Sequence, residues 1–290
     1  MKQKNTITIL VLIIVAISAI LTSIGIFSNA GQGSYLFESI HGKTIEIYGK
    51  GIYQHMSSDV AIQGIAQDFV TLFIGIPLLL VSLCGFRKNS MKSHFMLSGT
   101  LGYFFITYLF YTAMGMYNLL FLGWVALLGL SFFGLMTSLL SFDLSKIEKH
   151  FSNKTPTKFV GGFLIFTSVS IAMLWLSIVV SPLIDGTIYP ESLQHFTTLI
   201  VQGFDLGLLL PISFISGVLL IKRKKFGYLF GTTYIGFLSI LMTALTAKII
   251  AMSVNGVNVI PAVFVIPTFN IIAILSLYLM IKNIKGEIIK

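Results

Sequence analysis

Ile200-Val-Gln-Gly-Phe-Asp205-Leu-Gly-Leu-Leu-Leu-Pro211-Ile-Ser-Phe-Ile-Ser-Gly-Val-Leu-Leu-Ile221 is an apolar run holding one acid and one proline, stopped by Lys222-Arg-Lys-Lys225. The first half of the chain carries a second version. There Ile65-Ala-Gln-Asp68-Phe-Val-Thr-Leu-Phe-Ile-Gly-Ile-Pro77-Leu-Leu-Leu-Val-Ser-Leu-Cys-Gly-Phe86 is stopped by Arg87-Lys88. Each reads Gln, then Asp, an apolar stretch broken by Pro, and a basic stop. A bilayer crossing needs about 20 mostly apolar residues, and both runs suffice. A carboxylate inside such a run is costly, so two in corresponding places mark a candidate site.

The composition agrees with a membrane chain. Of 290 residues 56% are hydrophobic and 10% charged, with mean hydropathy +0.93. A soluble domain carries about 25% charged residues. Working outward from the two runs, the pattern predicts an all-α polytopic bundle of eight helices: 6–28, 60–86, 95–115, 119–141, 159–181, 196–221, 227–252 and 260–281. The first could be read as a signal peptide, but its apolar run exceeds the usual 7–15 residues, which favours a retained helix. Residues 1–141 form one half and 159–290 the other, joined by the polar linker 142–158 with Lys146, Lys149, Lys154 and Lys158. The longest polar segment, 29–63, alternates apolar and polar residues on either side of Gly49-Lys-Gly51, which predicts a small hairpin there. Ser57-Ser-Asp59 supplies an N-cap for the second helix.

Placing alternate loops on one side collects 16 of the 19 Lys and Arg residues, from Lys2 and Lys4 through Lys222–Lys225 to Lys285 and Lys290. Lys43, Lys50 and Lys248 fall on the other. The positive-inside rule then predicts that a plasma-membrane protein of this pattern has both termini cytoplasmic and loop 29–63 outside. This distribution also accounts for most of the formal charge of +9, so no nucleic-acid partner is expected. With the linker in the middle, the two runs become second members of parallel four-helix repeats, an arrangement some transporters use.

The stretches Ala66–Leu72 with Pro77, and Gln202–Pro211, resemble those of a group of hypothetical bacterial multi-pass membrane proteins. The resemblance covers the cores of the second and sixth helices and carries no activity over to this chain.

Depth along the helices points to one level. Asp68 lies about 28 Å above Arg87, Asp205 about 25 Å above Lys222, and Lys248 about 33 Å above Phe226, at 1.5 Å per residue. In a hydrocarbon core about 30 Å thick, all three charges sit near its outer boundary. One reading is an outward-facing polar site binding or transporting a small solute or cation. Its residues would be Asp68, Asp205, Gln67, Gln202 and Lys248, with tyrosines as further donors. The bland reading has Lys248 snorkelling to the interface and the acids capping neighbouring helices. A second functional class is a non-transporting accessory or sensory protein that meets a protein partner through loop 29–63; a lipid-modifying membrane enzyme is a third. His-Glu-x-x-His, Gly-x-Ser-x-Gly and the phosphate-binding Gly-x-x-x-x-Gly-Lys-Ser/Thr are missing, so the sequence points away from an enzyme and implies no cofactor or metal. The aromatics of the third helix, from Tyr103 to Tyr111, would pack or line an apolar pocket.

Overall fold

The computed structural model describes residues 2–285, so Lys290, counted above among the basic residues, lies outside them. Among the described residues eight long helices run back and forth: α1 (Lys2–Phe27), α2 (Ser58–Arg87), α3 (Met91–Met114), α4 (Phe121–Leu140), α5 (Thr157–Asp185), α6 (Ile200–Ile221), α7 (Lys225–Val254) and α8 (Ala262–Lys282). All but α3 are long and apolar enough to cross a bilayer. The chain is an integral membrane protein, an all-α helical bundle. The short turns 88–90 and 222–224 and the linker share the basic end. The long connections 28–57 and 186–199 share the other, called here the cap end.

The two helices richest in buried residues, α3 and α7, form the centre. They touch where Gly99 meets Gly236: a Cβ added to Gly99 would lie 3.0 Å from the Gly236 backbone. Small residues let the two backbones approach where any side chain would hold them apart. The predicted pairs Gly99/Gly102 and Gly227/Gly231 thus split in role. Gly227 instead packs against the Leu219 backbone and Gly231 against Leu220. The aromatic stripe of α3 is core, with Tyr103, Phe104 and Tyr108 all fully buried. This central place explains why α3 tolerates His94, Ser98, Thr100 and Thr107, which are buried against neighbouring helices rather than lipid.

Around this pair α2 and α6 repeat one plan. The cap-side part of α2 packs on α7 and its basic-side part on α3; in α6 the two partners are exchanged. Both helices contain one wide turn with i→i+5 hydrogen bonding, Thr71–Gly75 and Asp205–Leu209, each followed by a twelve-residue α-helix with proline at its second position. Proline has no N–H to give and its ring crowds the carbonyl four residues back, which a widened turn relieves. The following turns match too. Ser90 N bonds Gly85 O and Lys224 N bonds Leu219 O, both at 3.0 Å, while Asn89 and Arg223 both take positive φ. Thr71, Pro77, Asn89 and Met91 therefore correspond, at one constant offset, to Asp205, Pro211, Arg223 and Lys225.

Three expectations shift. The hairpin is present, but as β1 (Tyr35–Glu38) antiparallel to β2 (Thr44–Ile47), turning through Ser39–Lys43. Gly49 and Gly51 have positive φ and lie against Gly33 O and Ser28 O, so they fold the chain back onto the end of α1. Ser57 precedes α2, yet its hydroxyl donates to Gln194 Oε1 at 2.6 Å instead of capping the helix. Finally, the linker is anchored. Buried Phe142, Ile147 and Phe151 pack beneath the bundle, and Phe151 stacks on Tyr228 at 4.5 Å.

The Gly99–Gly236 contact yields a prediction. Gly99→Leu or Gly236→Leu overpacks the centre and should lower stability by about 1–3 kcal/mol. Gly129→Ala and Gly162→Ala, where an added Cβ meets nothing within 4 Å, should change it little. Thermal unfolding of the purified variants in one detergent measures both; equal losses in all four would contradict the central role of the glycine contact.

Candidate functional site

Asp68 sits on the last cap-side turn of α2 before the wide turn and is 2% exposed. Its carboxylate is held by phenols. Tyr53 Oη donates to Oδ2 at 2.6 Å and Tyr111 Oη to Oδ1 at 3.0 Å. Tyr111 also lies 3.0 Å from the Gly64 carbonyl, and its ring packs edge-on against Trp124. On the remaining side Gly25 of α1 presses against the acid, since a Cβ there would overlap Asp68 Oδ2. Burial, and then the neighbouring carboxylate, push the Tyr53 phenol well above its usual pKa, so it remains a donor.

Tyr53 belongs to the cap. It ends the tight turn Gly51–Tyr53 and packs with Met56 and Ala61, together with Ile52, Met116 and Phe196. Phe196 comes from the opposite half. His41 at the hairpin turn bonds the Phe196 carbonyl at 2.9 Å and lies 4.2 Å from the Tyr189 ring. With the Ser57–Gln194 bond, segments 28–57 and 186–199 close one lid over the acid.

Below Asp68 a second polar layer follows. Gln67 Nε2 donates to Tyr103 Oη at 2.8 Å and Thr107 Oγ1 at 3.1 Å, and Thr71 Oγ1 lies 2.8 Å from the same phenol. Thr71 also donates to Gln67 O, a carbonyl at the entrance to the wide turn. Gln67 Oε1 and Tyr108 Oη are buried without a partner among the described residues.

The other predicted site residues divide. Asp205 accepts from Trp175 Nε1 at 2.7 Å and is half-buried, sharing no hydrogen-bond partner with Asp68. Aligning the wide turns shows why the two acids differ. Gln202 occupies the place of Asp68, and Asp205 that of Thr71, one turn deeper. Gln202 is itself buried. Lys248 of α7 interacts electrostatically with Asp68 but makes no ion pair with it; among the described residues the ion pair at contact distance is Lys146–Asp143. Tyrosines, rather than Gln67 or Lys248, thus satisfy Asp68. The sequence reading missed Gly25, Tyr53 and Trp175; a glycine within a helix was the signal for the first. Among the described residues no three His, Cys, Asp or Glu side chains gather as a metal-binding set.

A double-mutant cycle tests the layer. Tyr53→Phe should cost about 1–3 kcal/mol, because it strips a donor from a buried carboxylate. In an Asp68→Asn background the same change should cost clearly less. Additive losses, read from thermal or denaturant unfolding, would show that the hydrogen bond has no stabilising role.

No family model, curated protein or solved structure matches this chain.

Proposed function

We propose that this integral membrane protein binds, and moves across the bilayer, a small solute bearing a cationic group, which Asp68 receives at the cap end. One observation carries the reading: a carboxylate within the spanning region is held by neutral phenols and roofed by a segment that joins both halves. Intramembrane acids are retained where they serve a ligand or proton path. Lys248, on the facing helix, offers a counter-charge for an anionic group of the same solute. The conformer is closed, so access requires the cap to lift Tyr53 away. Wide turns next to the polar layer in both α2 and α6 provide places where such helices bend. Both termini lie in the cytoplasm and the cap outside, following the basic loops.

A second reading has one observation in its favour. Tyr35, Leu36, Phe37 and Ile40 of the hairpin are all exposed, Leu36 at 74% and Ile40 at 76%, a surface suited to a protein partner.

The test uses purified full-length protein and a panel of alkali cations, ammonium and amino acids. At least one class should raise the melting temperature of the wild type. Asp68→Asn should weaken that response at least tenfold at near-normal expression, and proteoliposomes should accumulate the same compound. A panel without effect, or an Asp68→Asn response equal to the wild type, would overturn the assignment. Reporter fusions at Asn153 and Lys50 check the orientation: the first should read cytoplasmic and the second extracytoplasmic.

A further inference from the structure

At the basic end, away from Asp68, an open groove of about 460 Å³ runs between α3 and α8. One wall is a single face of α8, with Ile274, Leu277, Tyr278 and Ile281 at helical spacing and Lys282 at its end. The other wall is Lys92 and Met96, one turn apart at the start of α3. Helix α7 lies between the walls, because a Cβ on Gly236 would stand 3.4 Å from Gly99 Cα and 3.8 Å from Leu277 Cδ1. No linker residue lines the groove.

We propose that this groove is a binding site for an anionic phospholipid of the leaflet at the basic end. The chemistry is divided along its length as such a molecule is. Lys92 and Lys282 stand where their helices meet the headgroup layer, one at the first turn of α3 and one at the last residue of α8. Lys282 Nζ lies 5.6 Å from the Tyr278 ring centroid, which holds its ammonium at the groove mouth. The Lys92 ammonium has no ion-pair partner among the described residues, which leaves it for a phosphate. Ile274 lies two turns deeper, about 12 Å along the helix, at the level of acyl chains. Its 49% exposure and the 56% exposure of Tyr278 leave the apolar wall open to that chain. A soluble anion would use the two lysines and leave the apolar wall empty, so the occupant is a lipid. Basic pockets between spanning helices take anionic headgroups in this way.

Native mass spectrometry of the full-length protein, given equimolar dioleoyl phosphatidylglycerol and dioleoyl phosphatidylcholine, tests the site. The wild type should retain phosphatidylglycerol preferentially. The preference should fall about fivefold with each of Lys92→Gln and Lys282→Gln. Ile274→Trp should expel both lipids by filling the apolar wall, and Lys149→Gln/Lys154→Gln, at the same end but outside the groove, should leave the preference unchanged. Equal retention of the two lipids would overturn the proposal. So would an equal loss in the Lys149/Lys154 control, which would reveal diffuse attraction. Displacement of the bound lipid by its water-soluble headgroup at similar concentration would show that the apolar wall takes no part, and would also overturn it.

Discussion

A carboxylate placed in the spanning region must find donors, and much of the cap end follows from that demand. Asp68 takes its hydrogen bonds from Tyr111 within the bundle and Tyr53 above it. Tyr53 reaches the acid because Gly49 and Gly51 fold the chain back onto α1. Gly25 brings the backbone of α1 up to the carboxylate without a side chain between them. A hydrogen bond of this kind, away from water, is worth more than the same bond in solvent, and losing one partner leaves the other stranded. The cap is therefore fastened to the membrane domain at a point where release has a defined cost.

The second organising feature is the proline shared by α2 and α6. Each removes a backbone donor and crowds a carbonyl, and each helix answers with one wide turn. Backbone groups near these turns are taken up by side chains: Thr71 on Gln67 O in the first half, Tyr234 on Leu209 O and Ser168 on Leu210 O in the second. In a bilayer no water does this, so those hydroxyls are part of the fold. The turns also fix the register between the halves. They show that Asp205 is the counterpart of Thr71 and that Gln202 holds the place of Asp68.

Much of the fold was legible because the bilayer imposes it. Runs of about 20 apolar residues between polar breaks define the helices within a few residues of their observed ends. The candidate site was legible only in part. Asp68, Gln67 and Lys248 stood out as polar groups in apolar surroundings, but alternation alone misplaced the hairpin. Tyr35–Glu38 carries little polar alternation and pairs nonetheless, whereas Gly49-Lys-Gly51 has the letters of a turn and serves as a fold-back. Spacing in the sequence also misread the acids. Asp68 precedes Pro77 by nine residues and Asp205 precedes Pro211 by six, a difference of one helical turn that decides which neighbour each meets.

That one-turn displacement makes the halves chemically unequal on a shared backbone plan. In the first half the acid lies above the wide turn, under two phenols and a lid, sealed by Gly25. In the second it lies within the wide turn, half-buried, with Trp175 as donor, and Gly203 and Gly207 beside it are open. The cap accounts for the difference. Its larger part, 28–57, belongs to the first half and lies over α2, while the second half contributes mainly the Gln194–Phe196 contacts that close it. The cap segment, together with one turn of register, thus breaks the symmetry that α2 and α6 share at the level where the charges lie.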